Sequence, residues 1–291
     1  MSSILLIASL VLGRVFDHHI NPQAFHYPKN TTSSLPYQFP ASRLRASNKD
    51  LPSNYDLRQQ YPDSVSLKTV LEQGECQSSW AISSTGAYAD SLYIHKKINI
   101  VASPQFQMNC DTDCAPDPYP NICQRDCKGG SAYLATAFLG NYGVVSQDCV
   151  PYRSVKGECA DYCQDKAGKI TETPFKIHSD LCSAVIEKVS VDLMKQAIYQ
   201  YGSILTQMEI FEDIQGYKTG VYQHSSQKSL GYQAIRIVGW GTEGGKAFWL
   251  VHGCWGTGFG ESGRIKILAG KNECSIEKGF YFFAPCEDFH Y

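Results

Sequence analysis

Gln73-Gly74-Glu75-Cys76-Gln77-Ser78-Ser79-Trp80-Ala81 stands where a glycine-containing loop gives way to a helical period. The first turn of a helix carries unpaired N–H groups and the positive end of the peptide dipoles, so a thiolate is favoured there. Such a junction suits nucleophilic chemistry, which also needs a base within hydrogen-bond reach. Eight histidines could serve, at positions 18, 19, 26, 95, 178, 224, 252 and 290. Twelve cysteines, at 76, 110, 114, 123, 127, 149, 159, 163, 182, 254, 274 and 286, form an even set concentrated between 110 and 163. Cys110/Cys114, Cys123/Cys127 and Cys159/Cys163 have a spacing that a structural zinc site can use. An even set behind a secretory signal reads instead as a disulfide framework, and that reading is favoured; no metal or other cofactor is expected.

The elements that must position these residues show in the periodicity. From Ser78 to Tyr93, Ala81, Ser84, Tyr88 and Leu92 share a helical face, and a second helix is expected from Ser131 to Leu139 with Gly140 as its stop. A third opens near Ser190, where Met194, Ala197, Ile198 and Tyr201 repeat at helical spacing and Gly202 closes the run. After Gly202 the period falls to two, giving expected strands Ile204–Phe211, Ala234–Trp240, Ala247–Val251, Arg264–Leu268 and Phe280–Phe283. Helices followed by strands argue for an α+β fold of two lobes meeting at a cleft, rather than for alternating βαβ units.

Composition sets the outer bounds. The 291 residues are 43% apolar and 19% charged, enough for a sizeable core. Lys plus Arg number 26 against 28 for Asp plus Glu, a formal charge of −2 without like-charge runs, so nucleic acid is not an expected partner. Ile4–Leu12 is an apolar run followed by Gly13, too short for the roughly 20 residues of a membrane span. It predicts a signal peptide over residues 1–16, and hence the secretory pathway, ending outside the cell or in a lysosome-like compartment. No other apolar run is long enough to cross a bilayer. Residues 17–50, rich in Pro, Ser, Asn and His, read as a short leader or prosegment, with the packed domain at 51–291. Asn30-Thr31-Thr32 is a glycosylation sequon that fits the same route.

The loop around Cys76 resembles the active-site loop of the papain family of cysteine peptidases, Q-G-x-C-G-S-C-W, in which the second Cys is the nucleophile. The resemblance runs from Leu51 to about Phe283 and is nearest the cathepsin B branch. Leu51-Pro52-Ser53-Asn54-Tyr55-Asp56-Leu57-Arg58 is similar to that branch's mature N-terminus, and Cys127-Lys128-Gly129-Gly130 to the C-N-G-G wall of its substrate cleft. Gly220-Val221-Tyr222-Gln223-His224 and Ala234-Ile235-Arg236-Ile237-Val238-Gly239-Trp240-Gly241 are also similar. The resemblance implies a papain-like fold and a cleft for extended peptide. It also implies the disulfides Cys76–Cys127, Cys110–Cys159 and Cys149–Cys163, to which proximity adds Cys114–Cys123.

Carried over position by position, the resemblance puts Ser79 at the nucleophile, Gln233 at the base and Gly253 at the orienting residue. All three catalytic types are therefore replaced. Gln73 matches the oxyanion-hole side chain and Trp255 the indole that shields the orienting hydrogen bond; Gly129 and Gly130 match the cleft wall. Gly279 falls on an acidic pocket residue of the branch, so the second subsite should be uncharged and prefer an apolar side chain to Arg. Only nine residues, Val150–Glu158, stand where the branch has its long occluding loop. A serine hydroxyl needs a base, and the Gln233 amide takes no proton near pH 7. His252 is the one histidine beside a matched position, but strand alternation turns it away from the face marked by Gly253. The expectation is an inactive peptidase homologue whose cleft holds extended peptide or a proteinaceous inhibitor. Two alternatives stand beside it: a slow peptidase using Ser79, and a disulfide-stabilised scaffold whose protein partner binds outside the cleft.

Overall fold

A computed structural model describes residues 37–44, 51–115, 122–159, 163, 169 and 180–289. The apolar run at Ile4–Leu12 and the Asn30 sequon lie outside the described residues. In chain order come β1 (Tyr37–Gln38), β2 (Tyr55–Asp56), α1 (Leu57–Gln60), α2 (Val65–Lys68), α3 (Ser79–Lys96), α4 (Pro104–Cys110) and α5 (Ala132–Tyr142). They are followed by β3 (Leu181–Ile186), α6 (Val191–Tyr201), β4 (Ile204–Phe211), β5 (Val221–Tyr222), β6 (Ser229–Glu243), β7 (Lys246–His252), β8 (Arg264–Leu268) and β9 (Phe280–Pro285). The α+β architecture is papain-like: helices gather in the first half of the chain, and a nine-stranded sheet ordered β1-β3-β9-β4-β6-β7-β8-β5 dominates the second, with β2 also on β6.

Sequence accounts for most boundaries. Ser190 caps α6 by accepting from the Leu193 N–H, and Gly202 closes that helix at φ 104°. Helix α5 runs through Gly140, the expected stop, and ends instead at Gly143, whose φ of 72° lets the chain turn. A continuing ladder decides this: the Gly143 N–H still reaches the Leu139 carbonyl at 2.9 Å. Helix α3 buries residues on all sides, Trp80, Ala81, Tyr88, Ala89, Asp90 and Leu92 among them, because β6, β9, α4 and α5 all pack against it. One core packs α6 against β4, β6 and β7 around Ile198, Ile235 and Trp249. The other packs α3 and α5 against β3 and β9 around Tyr88, Leu134 and Phe283.

Two further features frame the site. At a bulge in the β6–β7 ladder, register shifts between Ile237 and Gly239, and β2 crosses so closely that a Cβ on Gly239 would stand 2.1 Å from the Tyr55 carbonyl oxygen. Disulfides join Cys76–Cys127, Cys110–Cys159, Cys114–Cys123, Cys149–Cys163 and Cys182–Cys286, while Cys254 and Cys274 are buried free thiols.

Candidate active site

Ser79 is the first residue of α3, and the loop before it is pinned by the Cys76–Cys127 bridge and by a Gln77 N–H to Cys127 carbonyl bond of 3.1 Å. Its side chain is wholly buried, and its Oγ accepts from the Ala234 N–H at 3.2 Å. Gln233 precedes Ala234 on β6 and is equally buried. Its Nε2 donates to Gln73 Oε1 at 2.9 Å, and its Oε1 accepts from Trp255 Nε1 at 2.6 Å. The Cys254 thiol donates to Gln73 Oε1 at 2.8 Å, and the Gln73 N–H to the Cys254 carbonyl at 2.9 Å. Indole, two carboxamides and a thiol thus join in one neutral hydrogen-bonded network, as buried polar groups require.

The surroundings of these positions are closely packed. Gln73, matched to the oxyanion-hole side chain, is 1% exposed, and its amide oxygen accepts from both Gln233 and Cys254. Gly253 has let Trp255 fold over it, for a Cβ there would lie 2.1 Å from the indole ring. The Trp255 ring also packs on Phe259 at 4.5 Å. From the other side, the short Val150–Glu158 segment closes on the loop: Tyr152 Oη and Ser154 Oγ both donate to the Gln73 carbonyl, at 2.9 and 2.5 Å. Burial pushes the Tyr152 phenol up to about 12, so it stays a donor.

Gly129 and Gly130, matched to the cleft wall, sit in a tightly packed loop. The Gly129 carbonyl accepts from the Arg125 N–H at 2.9 Å, and Gly130 runs so close to Trp80 that a Cβ would fall 2.7 Å from the ring. Gly279 is buried, and its carbonyl accepts from Thr206 Oγ1 at 2.8 Å.

His252 lies on β7 opposite Arg236 of β6, and it borders the same small cavity as Gly253. Its Nδ1 faces Arg236 Nη2 at 3.0 Å and its Nε2 faces Arg264 Nε at 2.6 Å. Burial, with the Arg236 and Arg264 charges, drives its pKa well below the usual value and keeps the ring neutral. Arg236 in turn donates to Asp90 Oδ2 of α3 at 2.7 Å. A cavity of about 20 Å³ beside this cluster, bordered by Ser66, Thr69, Gly86, Arg236 and Gly253, has room for one water. His252 does not bond to Ser79, whose Oγ meets no base among the described residues.

Residues 51–284 match the sequence model described as papain family cysteine protease. The chain belongs to the papain family of cysteine peptidases. Within the family it is 31% identical over 243 residues to cathepsin B-like cysteine proteinase 3 of Caenorhabditis elegans, an alignment covering 78% of this chain and 64% of that protein. It is 30% identical to cathepsin B-like CP2 of Giardia intestinalis over 80% of this chain and 74% of the other. Among solved structures, procathepsin B S9 from Trypanosoma congolense superposes with a TM-score of 0.76 at 25% identity, covering 95% of this chain and 88% of its own. This member is therefore cathepsin B-like in sequence and fold.

Sequence reading missed the partners of the buried amides. Two glutamines and a tryptophan at matched positions signal hydrogen-bond capacity that needs an outlet, yet only the fold pairs them. It also missed His224, Glu273 and Cys274, whose ligating atoms all lie within 4.8 Å of one another.

Proposed function

We propose that this chain is a catalytically silent, cathepsin B-like papain homologue that works by binding rather than by cutting. The observation that carries the reading is the Trp255–Gln233–Gln73 chain of hydrogen bonds. It fills the place of the base with a carboxamide, which takes no proton near neutral pH, and ties the matched Gln73 into the same bonds. Ser79, with only an amide N–H on its oxygen, lacks the activation that a hydroxyl nucleophile requires. A slow Ser79 peptidase would need a base, and His252 is held neutral between two arginines. The ligand class is extended peptide or a peptide-like inhibitor along Gly129–Gly130, with an apolar side chain over Gly279. The setting is the secretory pathway or a lysosome-like compartment, which suits five disulfides. The burial of Ser79, Gln73 and Gln233 also supports the scaffold reading, in which a protein partner binds outside the cleft.

Incubation of the purified chain with a peptide library, read by mass spectrometry for cleavage and retention, tests this. The expected result is no cleavage, no labelling by an active-site epoxide, and retention of peptides with an apolar residue at the second subsite. Cleavage abolished by Ser79→Ala would overturn the silent-enzyme reading, and absence of retention would favour the scaffold. Ser79→Cys with Gln233→His should begin to label, since the imidazole can take the thiol proton. Adding Gly253→Asn should lower Tm, because Trp255 must leave its place first.

A further inference from the structure

Strands β5 and β8 run parallel, with Val221 opposite Lys266 and Tyr222 opposite Ile267, so both chains leave the sheet at the same end. His224 follows β5, and Glu273 and Cys274 sit in the 3₁₀ turn Glu273–Ser275 that follows β8. The parallel ladder thus brings an imidazole, a carboxylate and a thiol together from residues about 50 positions apart in sequence. His224 Nδ1 bonds to Glu273 Oε1, which also accepts from the His224 N–H at 2.9 Å and lies 3.4 Å from Cys274 Sγ. Each donor is independently oriented. The His224 ring stacks on Phe211 with centroids 4.0 Å apart and planes 9° from parallel, which sets the direction of its nitrogens. Glu273 and Cys274 are 6% and 3% exposed, and the His224 side chain is 26% exposed, leaving a path from solvent.

The backbone adds a second observation. Asn272, Cys274 and Ser275 have φ of 50°, 53° and 60°, left-handed conformations that non-glycine residues adopt at a cost. The Cys274 sulfur lies 3.4 Å from Glu273 Oε1 in a chain that bridges ten of its cysteines and leaves only Cys254 and Cys274 reduced.

We propose that His224, Glu273 and Cys274 form a binding site for one zinc ion, three protein ligands with a fourth position open to water. Zinc holds N and O at about 2.0–2.2 Å and S at about 2.3 Å, so tetrahedral ligands stand roughly 3.3–3.8 Å apart. Cys274 Sγ and Glu273 Oε1 already stand at that spacing, 3.4 Å, while His224 Nδ1 and Glu273 Oε1, now hydrogen-bonded, move apart to it as the ion enters between them. Thiol and imidazole select zinc over calcium or magnesium, which prefer all-oxygen sets. On binding, the thiol proton and the proton shared by His224 and Glu273 pass to solvent, and the ion clasps the turn after β8 to the turn after β5. The clasp steadies the segment leading to Gly279. It does not depend on whether the cleft cuts peptide.

Metal titration of the purified full chain, stripped with chelator, decides the matter. Zinc should bind with a stoichiometry of one and raise Tm, whereas calcium and magnesium should do neither. Cobalt in its place should produce a near-ultraviolet thiolate-to-cobalt charge-transfer band. Cys274→Ser should abolish the band, and His224→Gln, at a partly exposed position, should weaken zinc at least as much as the ~10–100-fold that loss of a supporting residue costs. Cys254→Ala should retain the band. Wild-type protein without zinc binding or without the cobalt band would overturn the proposal whatever the variants do. So would a band that follows Cys254 rather than Cys274.

Discussion

Asp111 sits at the end of α4 in a place where water cannot reach its carboxyl. Gln124 Nε2 donates to its Oδ2 at 3.0 Å, yet burial dominates and pushes its pKa from 3.8 up to about 8. Between pH 4 and 8 the unfolded chain loses this proton while the folded chain keeps it, so stability falls as pH rises through that window. His252 acts with the opposite sign. Its ring is neutral when folded and protonated when unfolded below about pH 6.5, so it removes stability as pH falls past that point. Asp111→Asn keeps an acceptor for the glutamines and removes the ionisation. The variant's Tm should therefore gain on wild type steadily from pH 5 to pH 8 in thermal melts, with the two converging near pH 4.

At the scale of elements, residues 37–44 contribute more than their composition suggests. Strand β1 pairs in parallel with β3, Phe39 is 5% exposed, and its ring meets Tyr201, Phe282 and Phe289 edge-on at 5.2–5.8 Å. Arg43 donates to the Asp288 carbonyl at 2.9 Å. Residues 37–44 thus cover the open edge of β3, which unpaired would be a template for association. Phe39→Ala should cost about 3–5 kcal/mol by the usual penalty for emptying a buried aromatic site. Urea unfolding measures it, and a change under about 1 kcal/mol would mean that the segment merely rests on the domain. Strand β3 itself escaped periodic reading because five of its six residues are buried, leaving no apolar–polar alternation to detect.

Across the whole molecule, the two cores are joined by a buried ion pair between α3 and β6. Asp90 and Arg236 meet at 2.7 Å, Ser203 Oγ donates to the same Asp90 oxygen, and Asp90 Oδ1 has no partner among the described residues. Burial raises the Asp90 pKa against the pull of Arg236. Arg236→Met should therefore cost about 3–5 kcal/mol in chemical denaturation, since it strands a buried carboxyl. Asp90→Leu with Arg236→Met should cost less than the two single changes together, because neither charge is then left alone.

Much of this protein was legible before folding. The loop around Cys76, the Cys127–Gly130 stretch and the Ala234–Gly241 stretch carry the family, and they also supply the reading, taken up in the proposed function, that Ser79, Gln233 and Gly253 stand at the catalytic positions. Helix α6 and strands β4 and β8 follow directly from period and capping, because a face that must be buried leaves its spacing in the chain. The state of the site was not legible. Gln233 meets Gln73 across 160 residues and Cys254 reaches Gln73 across 181, so no local pattern encodes which buried donor satisfies which acceptor. The fall of Trp255 onto Gly253 and the meeting of His224 with Glu273 and Cys274 were likewise decided by packing. A missing Cβ opens space that only a neighbour in three dimensions can fill.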